Sequence, residues 1–162
     1  MAFQAYASVK GKKQGQFKGE THQPPSRRDK WMTVLSVGMD LQFPIDSATG
    51  QASGKRQWKP LKIVKEWGAA SPQGLAACST HEDLAEVKIE FVKPTANGIE
   101  EVDQAITLTD ASLSEVRRFV SGDVAQPAVT IPLDEWSFTF RKIEVVDNDG
   151  KTSFTDAWRS TP

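Results

Sequence analysis

Trp136-Ser137-Phe138-Thr139-Phe140-Arg141-Lys142-Ile143 decides the fold class. A pleated strand sends successive side chains to opposite faces. Trp136, Phe138 and Phe140 therefore share one apolar face, while Ser137, Thr139 and Arg141 point away. The same period of two recurs outward from this stretch. Val87, Ile89 and Phe91 alternate with Glu86, Lys88 and Glu90, and Phe3, Ala5, Ala7 and Val9 alternate with Gln4, Tyr6, Ser8 and Lys10. Trp31, Leu35, Val37, Met39, Leu41 and Phe43 are assigned to one further face, broken by Thr33. Segments 61–67, 102–109 and 111–120 add strand candidates rich in Val, Ile, Thr and Phe. In the last two the apolar phase passes from even (Val102, Ile106, Leu108) to odd (Leu113, Phe119), which predicts a bulge or sharp bend near Asp110-Ala111. About six or seven half-buried strands in so short a chain predict a barrel or sandwich.

One helix is predicted over 71–80. Ser71 suits the N-cap, Pro72 suits the first helical position, and Leu75 and Cys78 fall on one face. Gly74 inside it costs about 1 kcal/mol relative to Ala, so docking rather than propensity must hold this helix. Asn97-Gly98 and Asp149-Gly150 are hairpin turn signals between alternating runs. Two stretches, 11–30 and 44–60, lack any period, and loops of that length in a compact domain are usually functional or disordered. No internal repeat or linker divides the chain, so residues 1–162 are expected to form one domain.

Composition narrows the function classes. Apolar residues make up 38% and charged residues 25%, the balance of a folded domain rather than a disordered one. Lys and Arg (20) nearly cancel Asp and Glu (21), leaving neither the basic excess that drives nucleic-acid binding nor a polybasic membrane patch. A single Cys excludes an internal disulfide framework, and two His leave little material for acid–base chemistry or metal ligation. The start, MAFQAYASVKGKKQ, lacks a charged leader followed by an apolar core, so synthesis in the cytoplasm without a cleavable signal peptide is expected. No window approaches the length of apolar sequence needed for a membrane span.

The candidate chemical motifs are weak. Gly50-Gln51-Ala52-Ser53-Gly54-Lys55-Arg56 departs from a phosphate-binding loop in its glycine spacing, in Arg56 where a hydroxyl is needed, and in the absence of a predicted helix after it. Asp147-Asn148-Asp149-Gly150 would need Asp at Val145 and Glu at Asp156 to match a calcium loop, and a hairpin turn accounts for it better. Cys78 and His81 could pair as thiolate and imidazole, but no third group nearby orients them, and Cys commonly serves as a small apolar filler. Lys12, Lys13, Lys18, Arg27, Arg28 and Lys30 form a basic-leaning segment better read as a solvated loop or a charge-complementary protein contact. In the 44–60 loop, Lys55, Arg56, Gln57, Trp58 and Lys59 combine charge for encounter with an aromatic anchor, and Arg and Trp are the types that most often dominate interfaces.

Six stretches together resemble one family. They are Gly15-Gln16-Phe17-Lys18-Gly19-Glu20, Gly54-Lys55-Arg56-Gln57-Trp58-Lys59-Pro60-Leu61, Lys65-Glu66-Trp67-Gly68-Ala69-Ala70-Ser71-Pro72-Gln73, Val87 to Phe91, Trp136 to Ile143, and Asp156-Ala157-Trp158. In this order they resemble the haemolysin-coregulated protein (Hcp) family, the tube subunits of type VI secretion systems. Two positions depart from the family pattern: Trp58 stands where His or Tyr is often found, and Gly74 where a large apolar residue is often found. The Trp58 change is expected to touch an exposed loop and contacts between rings, and the Gly74 change bears on how firmly the helix packs.

The resemblance implies a compact antiparallel β-barrel with one short flanking α-helix and long extended loops. It implies a structural, non-enzymatic protein without cofactor or metal, whose copies form homo-hexameric rings that stack into a hollow tube. The implied partners are a spike protein, sheath and baseplate components, and small effector proteins held in the lumen, with no nucleic acid and no membrane insertion. The implied location is assembly in the cytoplasm followed by secretion. The implied interface residues are Lys55, Arg56, Gln57, Trp58 and Lys59, with Phe17, Lys18 and Glu20 from the first loop. The reading from another class is a monomeric ligand-binding β-barrel, which needs one apolar cavity inside the barrel.

Overall fold

A computed structural model describes residues 4–19, 31–94, 96–98, 100–122, 125–126 and 130–158. Among these residues twelve strands and one helix follow in order: β1 (Gln4–Gly11), β2 (Gly15–Gln16), β3 (Met32–Val34), β4 (Ser36–Gly38), β5 (Leu41–Gln42), β6 (Gln57–Trp58), β7 (Leu61–Glu66), α1 (Ala70–Ser79), β8 (Leu84–Pro94), β9 (Glu100–Ser121), β10 (Ile131–Thr139), β11 (Lys142–Asp147) and β12 (Thr152–Ala157). The main sheet runs β2-β1-β8-β9-β10-β7-β4, and β3 pairs with β1. β3 and β4 are successive pieces of one strand, separated by Leu35, whose amide donates to the Val64 carbonyl at 2.8 Å. That strand pairs with β1 through its first half and with β7 through its second, so the ladder returns to its start as an antiparallel barrel. Closure satisfies the backbone groups that edge strands would otherwise expose.

The alternating runs predict the core well. Trp136, Phe138, Phe140, Leu61, Ile63, Val87, Ile89, Ala7 and Val9 are all fully buried and pack in one cluster. They fill the space a ligand-binding barrel would leave open. The bend predicted near Asp110 is present: β9 continues through it, but Asp110 adopts φ 50°, and the Arg141 amide donates to both the Thr109 and Asp110 carbonyls at 3.2 Å. The inward phase changes there from Ile106 and Leu108 to Ala111 and Leu113. Phe119 does not stay in that phase. The β9–β10 register slips again between Ser137 and Phe138, which brings Val116 opposite Trp136 against the core and puts Phe119 on the other pleat opposite Leu133.

The helix begins one residue earlier than predicted, and Ser71 is not its N-cap. Ala69 holds that place without a side-chain cap. The Ser71 hydroxyl accepts from the Gly68 amide at 3.1 Å and donates to the buried Asp134 carboxylate at 2.5 Å. Asp134 also accepts from Arg118 at 3.0 Å, so the helix start is tied to β10 and β9. The docked face is Ala70, Ser71, Gly74 and Ala77, whereas Leu75 is exposed and Cys78 only half-buried. A Cβ at Gly74 would lie 2.4 Å from Trp136 Cζ2, so the glycine lets the helix lie directly on the indole. Gly74 is therefore the reason the helix packs closely rather than a weakness in it.

The turn at 96–98 joins β8 to β9 with Gly98 at φ 75°, as its sequence predicts. The second turn joins β11 to β12, but Lys151 rather than Gly150 takes the left-handed conformation, at φ 54°. Asp147 Oδ1 accepts from the Asp149 and Gly150 amides, each at 3.0 Å, which fixes that turn.

The predicted face Trp31–Phe43 is not a core face. Met32 and Val34 point inward, Leu35 points out, and after β4 the chain leaves the barrel. Residues 36–64 form a single long hairpin. Its inner part pairs Ser36 with Val64 and Gly38 with Lys62 in the barrel wall, and its outer part pairs Leu41 with Trp58, Gln42 with Gln57, and Ile45 with Ala52 in a separate ladder.

Candidate assembly interface

The outer half of that hairpin carries a run of exposed large apolar side chains. Its tip closes through the Asp46 amide to the Gln51 carbonyl (2.8 Å) and the Gly50 amide to the Asp46 carbonyl (2.7 Å), with Gly50 at φ 72°. The Ser53 amide donates to the Pro44 carbonyl at 2.9 Å, so the stretch that lacks periodicity is ordered as an arm. Its odd-numbered residues carry the apolar side chains. Val37 still packs against the core, and exposure then rises outward through Met39 (36%), Leu41 (47%), Phe43 (51%) and Ile45 (61%). The apolar face outruns the barrel that would bury it. A run of exposed apolar side chains of this kind makes the arm a candidate interaction surface.

The arm's root is built differently from the sequence reading. Trp58 is 6% exposed and belongs to the protomer's own core, edge-on to Phe140 (centroids 5.5 Å, 74°) and tilted against Phe154 (6.3 Å). The expectation of an exposed anchor fails because Trp58 lies where the hairpin re-enters the barrel. Arg56 reaches Asp156 on β12 with a two-pronged contact, Nε to Oδ2 and a terminal guanidinium nitrogen to Oδ1, both 2.6 Å. The Trp58 indole Nε1 donates to Asp156 Oδ2 at 3.0 Å, and the Ala157 amide donates to Oδ1 at 2.8 Å. Hydrogen bonding to Arg56, aided by the bonds from Trp58 and Ala157, outweighs the upward push of burial and holds the Asp156 carboxyl at about 2. Sequence reasoning missed this role of Asp156, because no local pattern links residues 100 positions apart. Lys55, Gln57 and Lys59 are exposed around the root.

Residues 11–19 are pinned to the helix and to Glu82 just after it. Phe17 is a core residue, edge-on to Trp136 at 6.1 Å, and not a surface contact. The Lys18 amide donates to Gln73 Oε1 at 2.7 Å. Buried Glu82 accepts from the Lys13 and Gln14 amides and the Gln14 side chain at 3.1–3.2 Å. Burial pushes the Glu82 carboxyl up, but these bonds outweigh it and hold its pKa below the ordinary value. Glu20, Arg27, Arg28 and Lys30 lie outside the described residues. Cys78 and His81 meet through the backbone, the His81 amide donating to the Cys78 carbonyl at 3.3 Å. Among the described residues no group of His, Cys, Asp or Glu is placed to hold a metal, and no helix is long and apolar enough to cross a membrane.

Residues 6–146 match the family described as the type VI secretion system effector Hcp. The "Major exported protein" of Pseudomonas aeruginosa PAO1 is 32% identical over 99% of this chain and 98% of its own length. The barrel superposes on a variant of Hcp1 from E. coli EAEC 042 with a TM-score of 0.84 at 22% identity, covering 98% of this chain and 100% of the other. It superposes on the secreted protein Hcp3 from Pseudomonas aeruginosa with a TM-score of 0.75 at 27% identity, covering 98% and 100%. A barrel of this topology, matched along nearly its whole length in both sequence and structure, belongs to the Hcp family of type VI secretion system proteins.

Proposed function

We propose that six copies of this chain close into a ring, that rings stack into a hollow tube inside a contractile sheath, and that the arm docks each copy on a neighbour. The observation that carries this reading is the apolar stripe Met39, Leu41, Phe43 and Ile45, whose exposure grows with distance from the barrel. Fully burying one such side chain contributes about 1.5–3 kcal/mol, so docking the tip on another copy supplies a real driving force. An arm on one side of a protomer meeting a different surface of the next makes a head-to-tail contact, which closes rings and, repeated along an axis, builds filaments. In this reading small effector proteins occupy the ring's lumen, since the barrel's own interior is filled by Trp136, Phe138 and Phe140. The spike, sheath and baseplate are its other partners. The tube is exported, and its role is structural rather than catalytic.

Negative-stain microscopy with sedimentation of the purified protein tests this. Rings with the mass of six 17.9 kDa chains are expected, and a Phe43→Ser/Ile45→Ser variant should stay a folded single chain. A parent protein that sediments as one chain, or a variant that assembles at the parent level, refutes the reading.

A further inference from the structure

We infer that Asp156 is the positioning residue of the arm, and that Arg56 serves assembly through this contact inside its own protomer rather than by touching the next copy. The inference rests on the assembly reading above. The arm's own ladder is thin: two residue pairs between β5 and β6, and the single bridge from Ile45 to Ala52. A ladder this short does not fix the direction of an arm by itself. Its fastenings lie at the root, where the Lys59 amide donates to the Asp40 carbonyl at 3.0 Å and Arg56 and Trp58 converge on Asp156.

Asp156 is well suited to the task. Three side-chain donors from the arm and the Ala157 amide share its two oxygens, so the carboxylate is fully engaged and its orientation is set. The parallel prongs of a guanidinium–carboxylate contact fix an angle as well as a distance, which a lysine would not do. Trp58, wedged between Phe140 and Phe154, supplies the rigid side of the joint. The guanidinium nitrogens aimed at Asp156 are therefore occupied before any partner arrives. An ion pair with Arg56 half exposed adds little to fold stability, so its effect falls on arm order, and holding a binding element in its bound direction strengthens binding by reducing the entropy lost on docking.

The test is a double-mutant cycle on the full chain, with Arg56→Ala, Asp156→Ala and the double variant. Self-association is followed by sedimentation, and backbone order in the dissociated protomer by hydrogen exchange. Each single change should weaken association about tenfold, and the double change should be no worse than the more severe single one. Exchange of the Asp46, Gly50 and Ser53 amides should quicken in all three, while melting temperatures stay within a few degrees. Arg56→Lys, which keeps the charge and loses the fork, should behave like Arg56→Ala. Losses that multiply in the double variant would place Arg56 against the neighbouring copy and overturn the inference. Unchanged arm exchange in Asp156→Ala would overturn it whether or not the protein assembles. Failure of the Phe43→Ser/Ile45→Ser experiment instead removes the assembly reading itself.

Discussion

Gly74→Ala should destabilise this protein even though it puts the best helix former in place of nearly the worst. In an exposed helix the exchange stabilises by about 1 kcal/mol. Here the added methyl would sit 2.4, 2.8 and 2.9 Å from Cζ2, Cε2 and Cη2 of Trp136, about 1 Å inside the ordinary carbon–carbon contact distance. The indole has nowhere to retreat, being fully buried with Phe17 edge-on at 6.1 Å, Phe138 at 6.2 Å and the Lys65 ammonium 5.6 Å from its ring. Overpacking of this kind costs about 1–3 kcal/mol, and so severe an overlap belongs at the upper end. The net loss is about 2 kcal/mol, which lowers the melting temperature of a domain this size by about 4–8 °C. Thermal melting of the dissociated protomer, followed by tryptophan fluorescence, measures it. In a Trp136→Phe background, where the overlapping part of the ring is gone, the same change should be neutral or stabilising. A higher melting temperature for Gly74→Ala alone would mean that the helix does not rest on the indole, and would refute the reasoning.

The depressed Asp156 carboxyl makes a second prediction. Its stabilising contribution is complete above the unfolded value of 3.8 and is lost as pH falls toward about 2, so across that window the parent should lose a few degrees of melting temperature that Asp156→Asn does not lose, and parallel curves would count against the contact. Gly98→Val tests the β8–β9 turn: among the described residues no atom beyond its chain neighbours lies within 4 Å of the new Cβ, so the cost is that of a β-branched residue held at φ 75°, about 1–2 kcal/mol, and an unchanged melting temperature would refute it.

The parts of the fold that the sequence reveals are those where one strand face meets one core. Trp136, Phe138 and Phe140, like Val87 and Ile89, alternate because the other pleat of the same strand faces outward. The phase change at Asp110 is legible for the same reason, since a break in a regular period marks a bend. Hydropathy does not distinguish a face buried in the barrel from one held out for a partner, and so Leu41 and Phe43 read as core when they are exposed. The converse error befell Trp58 and Phe17, which sit in polar, aperiodic stretches and yet fill the interior. Ser71, Gly74 and Arg56 take their meaning from Asp134, Trp136 and Asp156. Spacing along the chain carries no trace of such distant partners.

Because the arm is the outer half of the hairpin whose inner half is barrel wall, its length is open to evolutionary change in a way that the wall is not. The last core side chain on the hairpin is Trp58, opposite Leu41, and residues added beyond that pair and the Arg56 contact displace no core side chain. Lengthening a loop is inexpensive, about 0.6 kcal/mol for each doubling, and each added residue pair extends the reach by about 3.3 Å. The increments are nevertheless quantised. Adding one residue to each strand rotates the apolar stripe to the opposite side of the arm, whereas adding two to each strand restores it. Lineages that vary the spacing between subunits are therefore expected to gain or lose arm length in steps of two residues per strand, with the barrel unchanged beneath.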